Sequence, residues 1–365
     1  MLFPSPPGGI HTEKNQMTTT HGATPGMMTR RDAILTGAGL AAGLLLAPAA
    51  ARAARPSLVR SDADTFFPWK ELAPGIQGIA DPETGGNTLL VTSNGQGLLS
   101  DTKFPAIGKA LLREGQRAGV KLRYAVNTHH HGDHTGGNHA FNTAGITLIA
   151  HKKAEPRILD NMQQYIGGVT GGTRFVGALD RPTQAIVLDE AGELTSKLAT
   201  MDATNWGPTE LMPSDEYELK VGDAAVLLHH FARASHTDND VIVRVNDNQV
   251  IHTGDLVFSG LHPYFDPTAG VTARGWIATL REVRALCKPD TVVLPGHGPV
   301  GGPGIIDAQR AYLERLIDAV QKEIDAGKSE DETAEMSWDF MNGLGFEQVR
   351  ARAIRAVYNE LKGDD

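Results

Sequence analysis

Between Thr128 and Asn138 the chain reads Thr-His-His-His-Gly-Asp-His-Thr-Gly-Gly-Asn, placing four metal-binding side chains, His129, His131, Asp133 and His134, within six residues. On an extended or tightly turned segment alternate side chains point the same way. His129 and His131 can therefore share one ion, and once the loop reverses Asp133 and His134 can face a second. Gly132, Gly136 and Gly137 let the backbone turn that sharply. Imidazole and carboxylate without thiolate favour zinc, with iron or manganese as the other ions such donors accept. His130, between the ligands, reads as a surface histidine. The chain holds one cysteine, Cys287, at the end of a helical stretch, so the metal chemistry must rest on His and carboxylate.

The elements that must position these residues are legible as apolar runs. Residues 74–102 read as paired strands, with Asn94-Gly95 between two apolar segments as a hairpin signal. A helix is expected over 105–118. A short strand, Leu122 to Thr128, leads directly into the histidine cluster, and Gly145 to His151 is another. Strands are expected again at Tyr217–Lys220, Ala224–Phe231, Val241–Val245, Val250–Thr253 and Thr291–Leu294, and helices at Thr272–Leu286, 304–326 and 346–361. Residues 152–212 carry Gly167-Gly168, Gly171-Gly172, Pro182 and Pro208 and no clean period. They read as an insertion or lid over the site.

The histidine segment resembles the first ligand motif of the metallo-β-lactamase superfamily. Three later segments resemble the remaining motifs in the same order: Ser235-His236-Thr237-Asp238-Asn239-Asp240, His252-Thr253-Gly254-Asp255-Leu256 and Pro295-Gly296-His297-Gly298-Pro299. The resemblance covers about residues 74–300. It implies an α/β (α+β) fold, a four-layer αββα sandwich of two mixed sheets with metals in a groove at one edge. It implies two zinc ions. His129, His131 and His236 would hold the first, Asp133, His134 and His297 the second, with Asp255 bridging and Asp240 bracing the His236 loop. Asp133 would be catalytic as well, hydrogen-bonding the attacking water that the metals activate. No Gly-x-Ser-x-Gly nucleophile elbow is found in the sequence.

Asp255 also narrows the substrate. One major group of zinc β-lactamases carries cysteine at the corresponding place and another lacks the bridging aspartate. Asp255 instead resembles hydrolases of thioesters, lactones, sulfate esters and phosphodiesters. Hydrolysis of an ester, lactone or thioester of a small molecule is the expectation. The alternatives are β-lactam hydrolysis, phosphoric or sulfuric ester hydrolysis, and iron-dependent redox use of the same fold. Substrate contacts are expected from Tyr165, Phe175 and Trp206 in the insertion, and from His262, Tyr264 and Phe265 in the loop after Asp255.

The front of the chain reads as an address. Thr29-Arg30-Arg31-Asp32 precedes an uncharged Gly/Ala-rich stretch that ends in Ala51-Arg52-Ala53, a small-x-small cleavage site. The paired arginines resemble a twin-arginine signal, so the export machinery of that pathway is an expected partner. Residues 1–53 are expected to be a disordered leader and signal peptide, 54–303 the catalytic domain, and 304–365 helices packed upon it. A periplasmic or secreted location follows, with membrane anchoring by an uncleaved signal as the alternative. The remaining composition is that of an ordinary globular protein, 41% hydrophobic and 21% charged, with net charge −9. That acidity argues against nucleic acid as partner.

Overall fold

A computed structural model of the chain describes residues 66–363, apart from 83, 162–180 and 198–199. The first sheet is built from β1 (Lys70–Ala73), β2 (Ile76–Ile79), β3 (Thr88–Ser93), β4 (Gln96–Ser100), β5 (Lys121–Val126), β6 (Thr147–Ala150) and β7 (Glu210–Leu211), in that spatial order. β1 to β4 pair antiparallel; β4 to β7 run parallel. The β3–β4 hairpin turns through Asn94 and Gly95, both at positive φ (46° and 72°), the turn its sequence predicts. The second sheet has the order β12-β11-β10-β9-β8, with β8 (Glu216–Val221), β9 (Ala224–His230), β10 (Val241–Val245), β11 (Val250–His252) and β12 (Val292–Leu294). Only its β11–β12 pair is parallel.

Both sheets are covered on both faces, which is why their strands read as continuous apolar runs rather than alternating ones. On β3 and β4, Leu89, Val91 and Leu98 face the opposite sheet while Leu90 and Leu99 face outward into a second core. On β10, Val241, Val243 and Val245 point between the sheets and Ile242 points outward. The outer face of the first sheet is covered by α1 (Gly108–Gly115), α2 (Asn138–Thr143) and α4 (Arg181–Lys197), which follows the shorter α3 (Ala154–Asp160). The outer face of the second is covered by α5 (Ala273–Leu286), α6 (Gly304–Asp325) and α7 (Arg350–Lys362). The result is four layers, helix, sheet, sheet, helix. In α6 and α7 the buried Ile306, Leu313, Leu316, Val320, Ala353, Ile354 and Val357 form stripes at three- and four-residue spacing.

The described part of 152–212 differs from a lid. Val187, Ala191 and Leu194 of α4 and the buried Trp206 belong to the core on the first sheet's outer face. The weak helical period of this stretch misled because α4 presents a narrow stripe, not a broad amphipathic face. Tyr165 and Phe175 lie outside the described residues, as does the whole leader. Among the described residues, no helix is long and apolar enough to cross a membrane.

Candidate metal centre

Every expected ligand sits just beyond the C-terminal end of a strand, at one edge of the sandwich. His129 and His131 follow β5, and Asp133 and His134 lie on a one-turn helix, Gly132–Thr135. His236 follows β9, Asp255 lies on a short turn after β11, and His297 follows β12. The two sheets are pinned together here by a hydrogen bond from Val241 N to the Thr128 carbonyl, 2.7 Å.

The hydrogen-bond partners fix where each imidazole keeps its proton. His236 Nδ1 is 2.8 Å from the Tyr264 carbonyl, which only accepts, so Nε2 carries a lone pair. His131 Nε2 donates to the Asp266 carboxylate at 3.2 Å, leaving Nδ1 bare. The Thr128 hydroxyl donates to Asp101 at 2.8 Å and accepts from His129 Nδ1 at 3.1 Å, leaving His129 Nε2 bare. These bare nitrogens converge: His131 Nδ1 is 3.0 Å from His129 Nε2 and 2.9 Å from His236 Nε2. Lone pairs aimed at one another at this range repel unless a cation lies among them.

A second group faces the first across Asp255. His134 Nδ1 donates to Asp101 at 2.8 Å, and its Nε2 lies 3.1 Å from Asp255 Oδ1 and 3.4 Å from His297 Nε2. His297 Nε2 is 3.1 Å from Asp133 and 3.4 Å from Asp255 Oδ2. The same Oδ2 is 3.4 Å from His236 Nε2 and 3.7 Å from His129 Nε2, so one carboxylate reaches both groups. Asp255 Oδ1 is buried and, among the described residues, makes no hydrogen bond of proper geometry. An orphaned buried carboxylate oxygen is costly unless a cation meets it. The donor set therefore fits two metal ions, with His129, His131, His236 and Asp255 forming one group and Asp133, His134 and His297 the other, and Asp255 lying 3.1 Å from His134 and 3.4 Å from His297 of that second group.

Close backbone approach makes this packing feasible. A Cβ at Gly296 would lie 1.9 Å from Asp255 Oδ1, and one at Gly86 would lie 2.1 Å from the His134 ring. Asp240 holds the His236 loop by accepting from the amides of His236 (2.9 Å) and Thr237 (2.8 Å) and from the Thr237 hydroxyl (2.6 Å).

Sequence reasoning missed the supporting shell. Asp101, fully buried at positive φ after β4, accepts from the Thr128 amide and hydroxyl and from His134, and it lies 3.3 Å from His252 Nε2. Its only signal was an aspartate at the end of an apolar strand. Asp266 orients His131 and also lies 3.2 Å from His130 Nε2. His130 is buried, with Asn239 at 3.0 Å from its Nδ1, and is not a surface residue. Asn87 holds the His297 loop by donating to the Pro295 and Gly298 carbonyls. Buried Lys103 donates to the Gly86 carbonyl at 2.8 Å; burial pushes its pKa down to about 8 against the pull of Asp81, Asp101 and Asp133.

Of the expected substrate contacts that lie among the described residues, one borders the metal groups. The half-buried Tyr264 ring is 5.5 Å from the His131 ring and 6.0 Å from the His236 ring. His262 is instead buried, bonded to the Tyr312 hydroxyl at 2.8 Å. Phe265 packs edge-on against Trp276 in the core. Trp206 packs against His139, likewise inside. Sequence could not separate these cases because a loop aromatic looks the same whether it turns into the core or toward the groove.

The family model of the metallo-beta-lactamase superfamily matches residues 81–297, a span that holds all seven expected ligand positions. The chain belongs to the metallo-beta-lactamase superfamily. Solved structures similar to this superfamily member include VMB-1 at pH 5.5, with 19% identity over 68% of this chain and 97% of that one, TM-score 0.48. The DIM-1 metallo-beta-lactamase matches at 16% identity over 68% and 97%, TM-score 0.48. A metallo-beta-lactamase from Pontibacter korlensis matches at 15% over 68% and 99%, TM-score 0.48. Membership rests on the family match, not on these likenesses.

The charges of this superfamily member give a pH prediction. Without a cation, burial disfavours charge on His297, yet Asp255 and Asp133 outweigh it and push its pKa up to about 9. The same balance, with Asp101 added, raises His134 well above the usual imidazole range. Burial holds His236 down at about 3. A raised folded-state pKa stabilises the metal-free protein below the ordinary imidazole value, and that stability is lost as pH rises through about 9. A metal ion bound here must displace these protons. Titrating zinc into chelator-stripped protein near pH 7.5 is therefore expected to release about two protons, read by calorimetry in buffers of different ionisation enthalpy. Zinc affinity should climb as pH rises from neutrality through about 9, where His297 loses its proton. Proton release near zero would contradict this charge arrangement.

Proposed function

We propose that the protein is a dinuclear, zinc-dependent hydrolase of an ester, lactone or thioester bond in a small molecule. The observation that carries it is the convergence of three lone-pair nitrogens on one side of Asp255 and the His134–His297–Asp133 group on the other. Two divalent cations held by these residues would supply Lewis acidity and would lower the pKa of water toward neutrality.

The chain's own residues do the rest. Asp133 is the more open of the two carboxylates, 18% exposed against 4% for Asp255, so it is placed to take the proton of the attacking water and pass it to the leaving group. Phe258 stacks on His297 with centroids 5.3 Å apart, and Phe346 meets His297 at the same distance edge-on. These rings shield that side from water and leave the entry at His131 and Asp133, the ligands most exposed to solvent. No protein nucleophile lies among the ligands, which fits direct attack by water. The test is metal content together with turnover of lactones, thioesters, carboxylic esters, phosphodiesters, sulfate esters and a β-lactam. Zinc near two equivalents with cleavage of the first three classes supports the reading. Iron in place of zinc, or selective cleavage of the β-lactam, would replace it.

The leader supports export of the folded enzyme by the twin-arginine route. Changing Arg30 and Arg31 together to lysine is expected to leave the protein in the cytoplasm on fractionation. The exported protein should begin near Ala54 by N-terminal mass. An intact N-terminus in the membrane fraction would favour the anchored alternative.

A further inference from the structure

Resting on the hydrolase reading above, we propose that Arg352 is a specificity-determining residue that receives the anionic group of the substrate, so that the natural substrate is an ester-type compound carrying a carboxylate. The segment that supplies it lies beyond the family match, which ends at residue 297.

Arg352 projects from α7 toward Tyr264, a loop aromatic that borders His131 and His236. Its guanidinium lies over the Tyr264 ring, 5.0 Å from the centroid, and Nη1 donates to the Tyr264 hydroxyl at 2.6 Å. Tyr264 in turn abuts His131 and His236, and its carbonyl accepts from His236 Nδ1. A single ring therefore links the guanidinium to the ligand histidines. Arg352 and Tyr264 are both half-buried, so neither is sealed from the groove nor fully bathed by solvent.

The charge on Arg352 is left over. Among the described residues no carboxylate forms an ion pair with it, although the other two arginines of α7 are matched. Arg350 pairs with Glu347, and Arg355 pairs with Glu330 and Asp331. A guanidinium offers five donors in a planar fork, and the tyrosine hydroxyl occupies one. A carboxylate of the substrate can take the remaining fork in bidentate fashion. Surface charge is a weaker account, because the guanidinium is half-buried and held on the Tyr264 ring, whereas Arg350 and Arg355 settle against acids.

The same segment shapes the apolar part of the recognition. Phe346 adopts a left-handed backbone, φ 59° and ψ 38°, a strained conformation for a bulky residue. That conformation lays its ring against His297 and Phe258. The two features together describe a wall with an apolar face next to the reacting groups and a cation beside it. The matching ligand is an amphipathic acid with its scissile carbonyl between the two.

The experiment compares mono-p-nitrophenyl glutarate with its neutral methyl ester on the zinc-loaded protein and on Arg352→Met, with Arg352→Lys as the charge-retaining control. The ratio of kcat/KM for the anionic over the neutral ester is expected to be about tenfold or more in the native protein, near one in Arg352→Met, and intermediate in Arg352→Lys. A ratio unchanged in Arg352→Met overturns the proposal. Calorimetric binding of glutarate and monomethyl glutarate supplies a readout independent of turnover. If neither ester is cleaved, the choice of bond is at fault, and a tenfold loss of glutarate affinity in Arg352→Met still supports the anion site. Equal glutarate affinity in the two proteins overturns it. Circular dichroism checks that each variant is folded. If Arg352→Met is not, Tyr264→Phe, which removes the guanidinium's positioning partner, is expected to lower the same ratio, and no change in it overturns the proposal.

Discussion

Asp255→Asn should lower kcat/KM on the order of 10³-fold and reduce bound metal from two equivalents to one or fewer. Asparagine keeps the shape of the side chain and removes its charge, so the effect isolates the electrostatic role. Asp255 reaches His129 and His236 on one side and His134 and His297 on the other, all between 3.1 and 3.7 Å. Among the described residues no other carboxylate reaches both groups, so the two metal positions lose a shared anion together. Several kcal/mol of charge stabilisation is at stake, and each ~1.4 kcal/mol is a factor of ten in rate. The measurement is metal stoichiometry by mass spectrometry beside steady-state kinetics. Full activity with two metals bound would sink the bridging role and with it the dinuclear mechanism.

The second large effect is expected at a residue that holds a ligand-position histidine from behind and is not itself one of the seven expected ligands. Asp101→Ala removes the acceptor for His134 Nδ1 and for the amide and hydroxyl of Thr128, whose hydroxyl in turn orients His129. Burial alone would raise the pKa of Asp101. His134 and His252 outweigh burial and hold it below the usual carboxylate range, so it is ionised in the fold. Loss of such an outer partner typically weakens metal binding ~10–100-fold. Removing one member of a buried charged pair also costs about 3–5 kcal/mol of stability. Zinc affinity by competition with a chelating dye, and urea unfolding of the metal-free protein, measure the two separately. Unchanged zinc affinity would show that His129 and His134 are oriented by packing alone.

The tightest chemistry of this protein is local in sequence, and that is why it was legible. His129, His131, Asp133 and His134 are neighbours in sequence, so their spacing alone marks them as one cluster, although Thr128, Asp101 and Asp266 set how the rings are turned. The strands were legible for a related reason: burial on both faces writes an unbroken apolar run, as in Val241–Val245. His236, Asp255 and His297 were recognisable only through resemblance, because no local rule marks a single histidine or aspartate after a strand as a ligand.

Tertiary structure alone decided the shell and the walls. Asp101 and His134 are 33 positions apart, and Asp266 and His131 are 135 apart, so only chain crossing makes them partners. It also decided that His262, Phe265 and Trp206 turn into cores while Tyr264 turns toward the ligands, a choice made by what packs behind each ring. Arg352 shows the same limit most plainly. As sequence it is one basic residue on an amphipathic helix, and its significance comes from α7 docking where Tyr264 is waiting.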